Sequence, residues 1–264
     1  MHARGFARRQ GYPSGSIAAM SAVGIIPARW ASSRFPGKAL APIAGMPLIQ
    51  RTWQGASTAK SLREIWVATD DDRIADACEA FGARVARTRG DHATGTDRLS
   101  EVAAGLTDDI LVNIQGDEPL VEGFAIDAAV EALNNDSGAS LATLVHPIDE
   151  DGLHDPNRVK AFVDAHGRAV AFQRKAPDTD DANAAVYQHV GLYAYRRSFL
   201  LKLVELAPTA GELELGLEQL RALEHGHAIA AAVIEGWHSI PVDVPADVAK
   251  VEAALAARAR GGSP

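Results

Sequence analysis

The chain is short of cysteine, of long apolar runs and of positive charge, and each shortage removes a class of function. Its 264 residues include one cysteine, Cys78, which rules out an intrachain disulfide and a multi-thiolate zinc site, so a reducing cytosol is the expected setting. The longest apolar run, Ala228 to Ile234, falls far short of the ~20 residues that span a bilayer, so no membrane partner is expected. Lys and Arg number 26 against 34 Asp and Glu, a net charge of −8. Binding nucleic acid through its phosphates calls for a basic balance, so nucleic acid is not an expected partner either. Also missing are G-x-G-x-x-G, the P-loop, the G-x-S-x-G elbow and H-E-x-x-H. Asp178, Asp180 and Asp181 lack the glycine and glutamate of a calcium loop and read as a solvated acidic turn. His225 and His227 flank Gly226 at a helix end, where histidines cap carbonyls.

What is there is ordinary globular material, 47% apolar and 23% charged, enough for a real core. Residues 1–20 carry Arg4, Arg8 and Arg9, no acidic residue, and the turn formers Pro13 to Ser16. No apolar stretch follows Arg8-Arg9, so the segment reads as a disordered extension, with Met20 as a second possible start. Residues 21–264 read as a single domain without linker or repeat.

From Ala22 onward, short β-branched runs alternate with helical patterns. Val23–Ile26, Ile65–Ala68 and Ile110–Ile114 predict strands. Between Asp71 and Phe81, the residues Ile74, Ala77, Cys78 and Phe81 recur at helical spacing, with Gly82 at the capping position, which makes Cys78 a core residue. Such repetition predicts an α/β fold with a mostly parallel sheet and helices on both faces. After residue 138 the pattern becomes antiparallel. Ser140–His146, Val159–Asp164, Ala169–Gln173 and His189–Tyr195 read as strands with no helix between them, His166-Gly167 forming a hairpin turn. This insertion, about residues 140–195, is expected to cover a cleft. Helices return at Arg197–Leu206, Leu213–His225 and Ala246–Arg260.

Open α/β sheets bind ligands where their strands end. The first strand runs into Pro27-Ala28-Arg29-Trp30-Ala31-Ser32-Ser33-Arg34-Phe35-Pro36-Gly37-Lys38, with three cations, exposed small residues and a glycine. That composition suits a polyanion, although a basic surface loop has the same appearance. The third strand ends in Gln115-Gly116-Asp117-Glu118-Pro119, where an aspartate is placed to hold Mg²⁺ on phosphate oxygens. A second carboxylate stands at Asp243 or Asp247. Asp243 reads as lying on a short strand facing the cleft, and Asp247 as a solvated helix residue; the same residues also suit a plain helix start.

These blocks, together with Ala68-Thr69-Asp70, Asp91-His92-x-x-Gly95-Thr96-Asp97-Arg98, His189-x-Gly191-x-Tyr193 and Leu217-Glu218-Gln219-Leu220-Arg221, resemble in order the CMP-Kdo synthetase (3-deoxy-manno-octulosonate cytidylyltransferase) family. The resemblance runs from residue 22 to the end. It implies a glycosyltransferase-A-like, Rossmann-like sheet, CTP and an acidic eight-carbon sugar as substrates, and Mg²⁺ as cofactor. It also implies a cytoplasmic homodimer joined through the inserted hairpins and serving lipopolysaccharide or capsule synthesis. By that resemblance Ala28, Arg29, Ser32, Lys38, Gly95, Thr96 and Gln115 would hold the nucleotide, and Asp117 and Asp243 the metal. Arg29, Lys38 and the two aspartates would be the catalytic set. Arg174, His189, Tyr193, Glu218 and Gln219 would line the sugar pocket.

The chain departs from the family on the sugar side. Gln173-Arg174-Lys175 stands where relatives read Ser-Arg-Ala, and Leu215 stands where they carry glutamate. Another acidic sugar, a modified Kdo or a sialic acid, is therefore a competing acceptor. A nucleotide-sugar glycosyltransferase competes from another class, but Gln115-Gly116-Asp117 lacks the first carboxylate of its Asp-x-Asp pair. A paralogue without activity is disfavoured by the presence of Arg29, Lys38, Asp117 and Asp243.

Overall fold

The computed structural model describes residues 21–176, 184–237 and 239–260. The expected N-terminal extension and the acidic turn at Asp178 to Asp181 lie outside these residues. The chain opens with β1 (Ala22–Pro27), a 3-10 turn at Lys38–Leu40, the two-residue strands β2 (Pro42–Ile43) and β3 (Met46–Pro47), and α1 (Leu48–Ala56). Next come β4 (Leu62–Thr69), α2 (Asp72–Ala80), β5 (Arg84–Arg87), α3 (Gly95–Ala104), β6 (Ile110–Asn113) and α4 (Gly123–Asn135). The middle holds β7 (Ala139–Pro147), α5 (Glu150–His154), β8 (Lys160–Asp164), β9 (Arg168–Gln173) and β10 (Ala184–Arg196). The last elements are α6 (Arg197–Leu203), α7 (Ala210–Leu215), α8 (Gln219–Glu224), β11 (Ala228–Val233) and α9 (Pro245–Ala259).

Nine strands form one sheet in the order β5-β4-β1-β6-β10-β7-β11-β9-β8. The β5-β4-β1-β6 half is parallel, as the strand–helix alternation predicts. The other half is mixed, and β8 also pairs with the first part of β10, so these strands close back on themselves. Because side chains alternate across a strand, β1 feeds two cores. Ala22 and Ile26 pack with Ile49, Ile74 and Ala125 under α1, α2 and α4, whereas Val23 and Ile25 pack with Leu99 and Leu200 under α3 and α6. Cys78 is fully buried in the first core, and burial pushes its thiol up to about 12. Gly82 takes φ +89° just past α2, and Gly167 takes φ +78° in the β8–β9 turn, where glycine carries no steric penalty.

The molecule departs from the sequence expectations in four places. A helix, α5, does stand between β7 and β8. Its Asp149 caps Gly152 N at 2.7 Å, and Glu150 and Asp151 favour the positive end of the helix. The helix expected over Leu213–His225 is two, because Gly216 adopts φ +63° and ends α7. The apolar run at Ala228, too short to span a bilayer and given no element by the sequence reading, forms the half-buried strand β11 between β7 and β9. Residues 240–244 form no strand, and Asp247 is buried rather than solvated. Among the described residues no helix is long and apolar enough to cross a membrane.

Candidate active site

Two cavities open side by side where β1 and β6 end, one of about 260 Å³ and one of about 250 Å³, and Gly95 and Gln115 line both. The first is built on the loop after β1. Gly37 sits at φ +71°, and a Cβ there would lie 2.9 Å from the Trp30 ring, so the turn needs glycine on both counts. Its N–H donates to Trp30 O at 2.9 Å, and the Arg73 guanidinium covers the same indole at 3.4 Å. This turn sends Lys38 inward. Its Nζ lies 2.7 Å from Asp117 Oδ2 and 3.6 Å from Asp243 Oδ1, and donates to Val242 O at 3.0 Å. Arg34 reaches Asp243 from outside at 2.9 Å. Arg29 lines the cavity, exposed, with no ion pair among the described residues. Ala28 N–H is already donated to Ala68 O, and Ser32 Oγ accepts from Phe35 N, so these two shape the loop.

Asp117 and Asp243 come from segments 126 positions apart, and the backbone ties them together: Val242 N–H donates to Asp117 O at 2.9 Å. Val242 is itself buried with Ile43, Leu48, Leu120 and Val251 beneath α9. Asp247 Oδ2 accepts the N–H groups of Asp243 and Val244 at 3.0 Å each. Lys250 and those two donors hold the Asp247 carboxyl down to about 2. Beside the pair, Glu118 is half-buried with its carboxyl turned inward, and desolvation, reinforced by Asp117 and Asp243, pushes that carboxyl up to about 8. Ser239 donates to one of its oxygens, and the other has no partner among the described residues. At neutral pH this favours the protonated, neutral form of Glu118.

The rim between the cavities is the start of α3. Thr94 and Asp97 form a capping box, which leaves the N–H groups of Gly95 and Thr96 at the positive end of the helix. Arg98 is buried and anchors this end, meeting Asp70 Oδ1 at 2.8 Å and Thr88. Its lining of the first cavity was not anticipated, although Asp70 and Arg98 both stand in the blocks that carry the resemblance. Thr96 faces the second cavity, where its hydroxyl donates to Glu218 Oε2 at 2.7 Å.

In the second cavity His189, Tyr193, Glu218 and Gln219 come together from β10 and the break before α8. Burial raises the Glu218 pKa, and Tyr193 OH donates to Gln219 Oε1 at 3.1 Å. Gln219 Nε2 and Asn113 Oδ1 are buried without partners among the described residues. Asn113 was missed by the sequence reading; its signal is a polar residue ending the apolar strand Ile110–Asn113. Arg174 does not line this cavity. Its Nε donates to Leu215 O at 2.7 Å, behind Gly216 and Leu217, which do.

A model described as cytidylyltransferase matches residues 23–229. A 3-deoxy-manno-octulosonate cytidylyltransferase of Myxococcus xanthus is 48% identical over 244 residues, which are 91% of this chain and 98% of the relative. The chain belongs to the CMP-Kdo synthetase family. A solved structure of CMP:2-keto-3-deoxy-manno-octonic acid synthetase complexed with CTP is 39% identical with a TM-score of 0.84, covering 90% of this chain and 99% of that one. An 8-amino-3,8-dideoxy-manno-octulosonate cytidylyltransferase of Shewanella piezotolerans is 46% identical, over 88% of this chain and 97% of its own. CMP-Kdo synthetases therefore share this chain's fold along nearly its whole described length.

The second cavity also bears on stability. His189 is half-buried in the lining of this cavity, and desolvation of its ring lowers its pKa from 6.5 to about 3. The unfolded chain takes up a proton below pH 6.5 that the folded chain refuses until about pH 3, so stability falls as pH drops through that window. A Tm measured between about pH 7 and about pH 5 should decline, and His189→Asn should flatten the slope. An unchanged slope would place the acid sensitivity elsewhere.

Proposed function

We propose that the protein transfers CMP from CTP to the anomeric hydroxyl of 3-deoxy-D-manno-octulosonate, releasing pyrophosphate. The observation that carries this reading is the adjacency of two unlike cavities. One is edged by Arg29, Lys38 and a carboxylate pair, which suits a triphosphate, and the other holds unpartnered buried polar atoms, which suit a polyhydroxylated acid. Their common edge at Gly95 and Gln115 is where the two substrates would meet. In the first cavity Arg29 and Lys38 balance the triphosphate charge, and the start of α3 presents free N–H groups to the nucleotide. In the second, His189, Tyr193, Glu218, Gln219 and Asn113 offer a fixed set of donors and acceptors. The sugar hydroxyl then forms a bond to the α-phosphorus as the bond to the β-phosphate oxygen breaks, a reaction governed by positioning and charge balance.

Mg²⁺ fits the donor set. Asp117 and Asp243 already converge on one cation, Lys38 Nζ, and Mg²⁺ binds through one or two carboxylates plus phosphates. Bound there, it would neutralise charge on the phosphates. Among the described residues no cluster of three or more metal-binding side chains competes with this pair. The proposal extends to a cytoplasmic homodimer joined through the inserted strands and supplying lipopolysaccharide or capsule synthesis. It also assigns the sugar carboxylate to Arg174, which stands beside the cavity on the Leu215 carbonyl.

A pyrophosphate-release assay with CTP and Mg²⁺ tests the acceptor. We expect kcat/KM to be highest for Kdo, at least about tenfold above N-acetylneuraminate or any neutral hexose, because a pocket of buried polar groups penalises a sugar that leaves them unpaired. The 8-amino analogue belongs in the same series, given the relative that carries its name. A preference for it or for another acid sugar would overturn Kdo as the substrate and leave cytidylyl transfer standing.

A further inference from the structure

We propose that Thr143 is a positioning residue whose hydroxyl holds His189 in the Nε2–H tautomer, leaving Nδ1 as an acceptor for a sugar hydroxyl. This rests on the reading of the second cavity as the sugar pocket. Thr143 on β7 lies opposite Tyr193 at an irregularity where Gly191 and Leu192 of β10 have no counterpart on β7. The bulge turns Val190 O and Leu192 O toward Thr143 Oγ1 at 3.1 Å each, and His189 Nε2 lies 2.9 Å from the same oxygen. A hydroxyl has one hydrogen, and carbonyls only accept. Were that hydrogen given to His189, both carbonyls would face lone pairs in a fully buried place, where unmade hydrogen bonds are costly. The hydrogen therefore goes to a carbonyl, and the ring donates Nε2–H to Thr143. A neutral imidazole with its proton on Nε2 has a bare Nδ1.

The surroundings keep the ring in that state. Phe172 packs edge-on at 5.1 Å between centroids and Tyr193 at 5.6 Å, so the ring has little room to flip. Burial keeps it neutral at working pH. Nδ1 has no hydrogen-bond partner among the described residues, and His189 lines the cavity. Thr143 thus does two jobs with one hydroxyl: it ties off the bulge that aims His189 and Tyr193 inward, and it decides which ring nitrogen meets the ligand.

The experiment is NMR of the full chain labelled with ¹⁵N-histidine at neutral pH, with a His189→Asn sample to identify the His189 signals. Wild type should show Nε2 protonated and Nδ1 bare. Thr143→Val should shift the ring toward Nδ1–H and raise KM for Kdo about tenfold, the worth of one neutral hydrogen bond, with KM for CTP within about twofold. Thr143→Ser should restore both the tautomer and the KM. A wild-type spectrum with Nδ1 protonated overturns the proposal, and that result is readable even if the valine variant fails to fold. A folded Thr143→Val that keeps both the tautomer and the KM also overturns it. A tautomer that changes while KM for Kdo does not would instead overturn the sugar-pocket reading, and the functional half of this proposal with it.

Discussion

Asp117→Asn and Asp243→Asn are each expected to lower kcat/KM by at least about a thousandfold while leaving Tm nearly unchanged. The two carboxylates reach one cation from separate segments, and each amide keeps the shape while removing a hard anionic ligand. Charge stabilisation by a bound metal is worth several kcal/mol, which sets the size of the loss. Fold stability should barely respond, because the Asp117 and Asp243 side chains are 26% and 42% exposed and solvent screens their contacts with Lys38. Stopped assays at rising Mg²⁺ separate weakened metal binding, which excess ion rescues, from lost geometry, which it does not. Retention of more than about a tenth of the rate by Asp243→Asn at saturating Mg²⁺ would remove Asp243 from the metal site.

Much of this site is legible in the sequence, for reasons that differ by residue. Gly37 and Gly116 announce close approach: a Cβ at Gly116 would lie 2.6 Å from Pro27 O, so glycine there reports that the Asp117 loop abuts the end of β1. Continuous apolar runs mark β1, β6 and the end of β4, which are buried on both faces, and helical periodicity marks α2, which is buried on one. What stays hidden depends on contacts far apart in the chain. Asp247 looks like any first-turn acid, yet it fastens the backbone of Asp243 and Val244. Asp70 and Arg98 give no sign of being partners, and the pair sets the start of α3 against β4. The closure of β8 onto β10 has no local signal, since strand partners follow from packing rather than propensity. Arg174 is the opposite case: a fork-shaped cation legible in its block, whose Nε the fold sets on the Leu215 carbonyl, outside the lining of the second cavity.

Lys38→Ala is expected to lower kcat by about a hundredfold to a thousandfold while changing KM for CTP only a few-fold. The lysine is fixed before substrate arrives, with its ammonium held by Asp117 and by the Val242 carbonyl and its approach set by the Gly37 turn. A charge held in place costs no reorganisation when negative charge builds up between the α- and β-phosphates, so its effect falls on the transition state. Ground-state CTP binding has other anchors, in Arg29 and the start of α3. Removing Lys38 also leaves Asp117 and Asp243 facing each other without their shared cation, and the uncompensated pair attracts a divalent ion more strongly, so the variant should need less Mg²⁺ to reach half its maximal rate. Lys38→Arg should rescue little, because a planar guanidinium cannot meet a carboxylate and a carbonyl from the single point that Nζ occupies. Steady-state kinetics across CTP and Mg²⁺ read all three effects. An unchanged kcat with a raised KM for CTP would reduce Lys38 to a ground-state anchor and return the transition-state role to Arg29.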